Sequence, residues 1–234
     1  MRGLGTVLNV VTVALGTTIG VLFGARVPER FRTTVMQGIG LVVLALGVIE
    51  TRDTRNAVFV LASLLVGGLI GEALRLEDRL ASAGRAIQRR VGERSASPGS
   101  RARFVEGFRI SSIVFCVGPL TVLGSIQDGL RGHIDLLATK SLLDGFAALA
   151  FATTYGWGVA ASIVTIVVVQ GGITAAAAGL HHVLNSRMVD EMSAVGGVML
   201  VGIGVRLLDI KEIRVASFLP ALVIAPVLVA IFAR

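Results

Sequence analysis

Residues 137–157 read LATKSLLDGFAALAFATTYGW. The stretch is apolar and long enough to cross a bilayer, which takes about 20 residues, yet Lys140 and Asp144 stand near its front end. Side chains four apart stack on one helical face. A charge near the centre of a spanning helix costs about 2.5–3.5 kcal/mol on insertion. Lys140 can reach toward the headgroups along its own methylenes. Asp144, about 12 Å below a helix start near Leu136 at 1.5 Å per residue, is too short to do so. It needs water or a partner, and Lys140 is the nearest amine. The pair is either a buried staple or the lining of a solute path.

Working outward, the 234-residue chain is 54% hydrophobic and 16% charged, with 29 glycines and a mean hydropathy of +0.83. A soluble domain of this size could not hide so much apolar surface. The expected fold is an all-α polytopic membrane protein with about eight transmembrane helices, at 3–24, 33–50, 56–74, 104–124, 136–154, 158–180, 190–207 and 214–233. The first run is too long for a signal-peptide core and lacks a cleavage pattern, so it reads as a retained helix. Residues 1–234 form one membrane domain in this reading: 3–74, a basic loop over 75–103, a central helix pair over 104–157, and 158–234. The TYGWG turn (154–158) supplies two glycines where the chain reverses. Pro220 and Pro226 are expected to bend the last helix.

The net charge of +7 invites a nucleic-acid reading, but most basic residues sit between spans, so topology explains them better and no nucleic acid is implied. Of 22 basic residues, 15 fall at or after the first, third, fifth and seventh spans and 7 on the other side. The richer side is expected to be cytoplasmic, with both termini outside. Much of that excess lies in 75–103. There Leu76, Leu80, Ala83, Ile87 and Val91 recur at helical spacing, with Arg79, Arg85, Arg89 and Arg90 elsewhere. This predicts an amphipathic cytoplasmic helix resting on anionic headgroups or, alternatively, docking a partner.

Spans one to three resemble spans six to eight. GLVVLALGV (40–48) matches GVMLVGIGV (197–205), placing Gly40 with Gly197 and Gly47 with Gly204. Five crossings separate the starts of the copies, an odd number, so an inverted repeat is expected, an arrangement many secondary transporters share.

The chain offers further polar candidates in other segments. Gly118–Pro119 interrupts an apolar helix and frees backbone carbonyls, and Gln127 and Asp128 follow it. Asn9, Thr12, Gly16 and Gly20 make a small and polar stripe suited to close helix packing. Of these only Asn9 has the hydrogen-bonding capacity to suggest a site. Gln170 is similar, with Thr174 one turn later. Lone Cys116 allows no intrachain disulfide, and no spacing suggests a metal or cofactor.

The strings MQGIGLVVLALGV, FVEGFRISSIVFCVGPLTVLGSIQDGL, TKSLLDG, QGGIT, EMSAVGGVMLVGIGV and IRVASFLPALVIAPVL resemble the bacterial membrane family known as domain of unknown function 554. The resemblance runs from residue 5 to the C-terminus and is most specific at 104–130 and 139–145. It implies a multi-pass protein of the bacterial cytoplasmic membrane and one chain-wide domain. It implies no activity. Arg109 and the Arg-rich loop depart from the family's usual pattern.

The leading expectation is a transporter or permeation pathway for a small solute or ion. Lys140, Ser141 and Asp144 would supply charge, Gly118 and Pro119 the helix break, and Gln127, Asp128, Gln170 and Asn9 polar lining. The alternatives are a small homodimeric channel, or an assembly or sensor protein that binds a partner through its basic loop. An enzyme is not expected. No Ser-His-Asp set, metal cluster or paired carboxylates can be assembled, and His133, His181 and His182 are placed in outer loops.

Overall fold

A computed structural model of the chain describes residues 2–24, 28–52, 54–91, 97–116 and 119–232. The regular elements among the described residues are all helices. They are α1 (Leu4–Gly24), α2 (Glu29–Thr51), α3 (Ala57–Ala73), α4 (Leu76–Val91), α5 (Pro98–Cys116), α6 (Pro119–Arg131), α7 (Asp135–Tyr155), α8 (Gly158–Ile166), α9 (Gly172–Val183), α10 (Ser186–Leu207) and α11 (Ala221–Phe232). A π-helical turn, Val167–Gly171, joins α8 to α9, and a 3₁₀ turn, Val215–Phe218, precedes α11.

Among the described residues five helical runs are long and apolar enough to cross a membrane: α1, α7, Gly158–Ala177, α10 and Val215–Phe232. Counting each of two bent helix pairs as one span raises the number to seven. The apolar part of α2, Met36–Thr51, is shorter. The span expected over 104–124 is corrected: helix begins at Pro98, breaks after Cys116, and resumes at Pro119 with a 63° bend as far as Arg131. Proline explains the break, since its ring cannot continue the preceding turn's hydrogen bonding. Pro220 stands just before α11, where Val223 and Ile224 N–H groups donate to its carbonyl, both at 3.0 Å. It starts the helix rather than bending it. Only Pro226 lies inside α11. His181 and His182 belong to the last turn of α9, not to a loop.

The chain forms two compact units. The first comprises Met1–Met36, Leu80–Cys116 and Leu120–Ala178, the second Gln37–Arg79, Val117–Pro119 and Gly179–Arg234.

In the first unit α1 and α7 run parallel in close contact. Gly16 lies against the Gly145 carbonyl, Gly20 against that of Leu149, and Gly24 against the Thr153 backbone. A methyl group at Gly24 would come within 2.8 Å of Thr153 Cα. Small residues are what let two backbones approach this closely, and dispersion then holds the helices together where lipid offers no hydrophobic drive. α7 ends at Gly156, whose φ of 64° suits glycine, and α8 returns antiparallel. α5 packs alongside α8, with the Ser112 and Thr165 hydroxyls 2.9 Å apart and Gly158 against the Phe104 backbone. Phe115 and Phe151, both fully buried, meet with ring centroids 6.3 Å apart.

In the second unit α2 and α10 run antiparallel. Gly47 faces the Gly197 carbonyl, and Gly197 the Gly47 carbonyl, each at 2.6 Å from an added Cβ. About two turns away Gly204 meets the Gly40 carbonyl, 2.9 Å from an added Cβ. α3 and α11 are antiparallel too, with Gly67 against Ala221 and Gly71 against Ser217. Buried carboxylates anchor the helix starts here. Glu191 of α10 accepts from Thr54 Oγ1 (2.7 Å), Arg55 N (2.9 Å) and Asn56 N (3.1 Å), closing the entry to α3. Glu77 accepts from Ala216 N at 3.0 Å, in the 3₁₀ turn before α11. Negative charge at a helix start offsets the partial positive charge of its free N–H groups.

α4 forms where its spacing predicts, but its buried side differs. Leu76, Leu80 and Ile87 are half-buried and Ala83 is exposed, whereas Glu77, Gly84 and Gln88 are buried. Gly84 is buried because the Phe108 ring lies over it, 2.9 Å from an added Cβ. Arg79, Arg85, Arg89 and Arg90 are exposed.

Candidate functional site

Four of the predicted polar residues meet in the first unit. Asn9 comes from the second turn of α1, Lys140 and Asp144 from α7, and Gln170 from the π-turn. All are buried, with relative exposures of 0%, 5%, 7% and 1% in that order. Lys140 Nζ bonds Asp144 Oδ2. Asn9 Nδ2 donates to the same carboxylate oxygen and to Gln170 Oε1, both at 2.9 Å. Gln170 Nε2 donates to Thr6 Oγ1 at 3.3 Å. The result is a continuous chain from Thr6 through Gln170 and Asn9 to the ion pair.

Each link has a local reason. The helical spacing of Lys140 and Asp144 superposes them on one face of α7. The glycine contacts between α1 and α7 bring Asn9 within reach of that face. A π-turn takes up more chain per turn than an α-turn and often marks a functional position. Here it carries Gln170, and the Thr174 hydroxyl donates to the Gln170 carbonyl at 2.9 Å. Asn9 donates to two oxygens at once, which fixes its amide orientation, because a flip would set oxygen against oxygen. Its own Oδ1 is then left buried without a hydrogen-bond partner.

An open cavity, a groove of about 620 Å³ on the surface of the same unit, adjoins this chain. Thr6, Val10, Val167, Gly171 and Thr174 are among its walls, and Arg2 stands at its edge. The ion pair is not among those walls. Gln170, bonded to Thr6 on one side and to Asn9 on the other, stands between the two.

The remaining expected site residues fall elsewhere. Asp128 is fully buried but accepts from Gly3 N at 2.9 Å and Gly5 N at 3.1 Å. It caps the start of α1 rather than joining the ion pair, because those free N–H groups are the nearest donors to its carboxylate. Gln127, the residue before it, is exposed. Ser141 donates back to the Leu137 carbonyl at 2.6 Å, which satisfies it within its own helix. Gly118 lies outside the described residues, and Pro119 opens α6. Near the break the Phe115 carbonyl accepts from the Thr121 hydroxyl at 3.3 Å, so that carbonyl is not left for a solute. Cys116 is half-buried. Among the described residues no group of three or more His, Cys, Asp or Glu could hold a metal ion.

Thr6 was not among the residues expected from sequence. Its signal was its place three residues before Asn9, on the same helical face. Glu191 was also missed, and a carboxylate in the first turns of an apolar helix was the available clue.

The model of the family described as "Protein of unknown function (DUF554)" matches residues 4–230. The chain belongs to the DUF554 family. Two relatives align with this DUF554 protein over nearly their whole lengths. The "Uncharacterized membrane protein YdfK" of Bacillus subtilis (strain 168) is 28% identical over 229 residues, covering 96% of this chain and 95% of its own. The "Uncharacterized protein YqgA" of Escherichia coli (strain K12) is 30% identical over 222 residues, covering 95% and 94%. No solved structure matches. With its apolar helices and a relative named as a membrane protein, this DUF554 member is a multi-pass, all-helical membrane protein.

Proposed function

We propose that the protein is a transporter or permeation pathway for a small solute or ion, built around the Asn9–Gln170–Asp144–Lys140 cluster. The observation that carries this reading is the hydrogen-bonded chain from a cavity wall at Thr6 to a buried ion pair. Ionisable groups inside a membrane domain are costly, and they recur where something polar must pass. Asn9 Oδ1, buried and without a partner, supports a site over a staple, since a purely structural network tends to satisfy all its members.

Eight crossings with an inverted repeat fit this reading. The repeat pairs α1 with α8–α9, α2 with α10, and α3 with α11, and the glycine contacts support an antiparallel course for the second and third pairs. The return at Gly156, with α1 parallel to α7, supports it for the first. The contacts also exchange equivalent positions. Gly40 meets Gly204, the counterpart of Gly47, and Gly47 meets Gly197, the counterpart of Gly40. A two-fold relation between the copies would produce this pattern. The bacterial cytoplasmic membrane, with both termini outside, is the location in this reading.

The test is solute flux in proteoliposomes carrying the wild-type protein or Asp144→Asn, over a panel of inorganic ions, organic acids, amino acids and sugars. At least one solute should move with the wild type and lose most of its flux in the variant, while insertion is unchanged. Wild-type flux that is insensitive to Asp144 for every solute, or no flux at all, would refute the reading. The exposed arginines of α4 favour a second reading, an assembly or sensor protein that binds an anionic partner. In that case replacing Arg79, Arg85, Arg89 and Arg90 would abolish function and Asp144→Asn would not.

A further inference from the structure

We propose that the cavity beside Gln170 binds a small zwitterion, an α-amino acid with an apolar side chain, and that Gln170 is the gate through which its charged end reaches Asn9, Asp144 and Lys140. The proposal rests on the transport reading and deepens it by naming the solute class.

Three features select that chemistry. The first is the unmet acceptor. Asn9 Oδ1 has no hydrogen-bond partner although the residue is wholly buried, and the amide's Nδ2 already bonds Asp144. A ligand supplying donors beside a carboxylate is what this corner lacks, and a primary ammonium has three. The second is charge balance. Lys140 and Asp144 together carry no net charge, and a net ion brought into a membrane interior is strongly disfavoured. A zwitterion leaves the balance at zero. Its ammonium goes to Asp144 and Asn9 Oδ1, and its carboxylate to Lys140, each ligand ion replacing the partner that the protein ion had before. A lone cation or anion would leave one unpaired charge. The third is the shape and lining of the cavity. Val7, Val10 and Val167 offer an apolar wall, and Thr6, Thr174 and Arg2 are the polar residues among its lining. About 620 Å³ lies within the range usual for small-molecule sites.

Gln170 is the positioning residue that separates the two parts. Its amide spans Thr6 on the cavity wall and Asn9 at the cluster. π-turns recur at functional positions, and turning the Gln170 side chain about its own bonds breaks only its two hydrogen bonds, to Asn9 and Thr6. That rotation would join the cavity to the ion pair.

The experiment compares three compounds of the same apolar body: L-leucine as the zwitterion, L-leucine methyl ester as the cation, and 4-methylpentanoate as the anion. Each is titrated against the purified full chain by thermal shift, and uptake is followed in proteoliposomes. L-leucine should stabilise the protein, with the two singly charged analogues at least tenfold weaker. Ala175→Phe, which fills the cavity from an exposed wall position, should abolish the L-leucine shift while the unliganded protein melts near its usual temperature. Equal binding of all three compounds, or full L-leucine binding by Ala175→Phe, would overturn the proposal. So would Asp144-dependent uptake of an ion or sugar with no response to L-leucine, although the transport reading would then stand. If no solute in the panel moves or binds, both readings fall together.

Discussion

Replacing Lys140 by Met or Asp144 by Leu strands one ion in the interior of the first unit. Removing one partner of a buried pair typically costs about 3–5 kcal/mol, because the survivor keeps its desolvation penalty without its attraction. Lys140 and Asp144 are only 5% and 7% exposed, so water can relieve little of that cost. Changing both residues at once removes the penalty along with the attraction. What remains is the Asn9 amide, which loses one acceptor but keeps Gln170, at about 1–3 kcal/mol. The double variant should therefore be more stable than either single one and lie within about 3 kcal/mol of the wild type. For a chain of this size about 1 kcal/mol corresponds to roughly 2–4 °C in Tm. The single variants should then melt roughly 6–20 °C below wild type in the same detergent. A double variant that falls by the sum of the two single losses would refute the coupling, and with it the idea that the pair shares one buried environment. Flux measured on the same proteins separates structure from function. On the proposed function the double variant is stable yet transports nothing, and full flux would leave the pair as a staple.

Gly16→Val should destabilise the protein by about 1–3 kcal/mol, the usual cost of overpacking, because the Gly145 carbonyl occupies the space. Gly38→Ala, where nothing lies within 4 Å, should instead raise stability by about 0.5–1 kcal/mol through helix propensity; thermal melts of the two variants side by side check both. Glu191→Ala should speed hydrogen exchange at the Arg55 and Asn56 amides, which lose their carboxylate acceptor, and lower stability by about 2–4 kcal/mol. Unchanged exchange at those amides would mean that the carboxylate does not hold the loop. Cysteines introduced at His133 and Trp157, both exposed at opposite ends of α7, should label from opposite faces of the membrane once Cys116 is replaced by Ala. Labelling of both from one face would contradict α7 as a crossing.

Much of the architecture follows from local chemistry and was readable along the chain. The length and apolar composition of 3–24, 136–154 and 190–207 specify helices, because in lipid a backbone must satisfy its own hydrogen bonds within the segment. Gly156 marks the tight return and Pro119 the broken helix for equally local reasons, the freedom of one backbone angle and the loss of one N–H. The pairing of Lys140 with Asp144 was legible too, since four residues make one helical turn. Sequence could not assign the rest. Asn9 and Gln170 are 161 positions apart, and nothing in their neighbours says that they touch. Apolar helices resemble one another, so which faces meet is decided by how glycine gaps and carbonyls interlock once every helix is present. That packing sent Asp128 to the start of α1, turned Gly84 of α4 inward under Phe108, and put Gln170 on a π-turn between a cavity and an ion pair. Helix formation is a short-range matter that residues settle among themselves. The choice of partner is a long-range competition among similar surfaces, and only the folded chain resolves it.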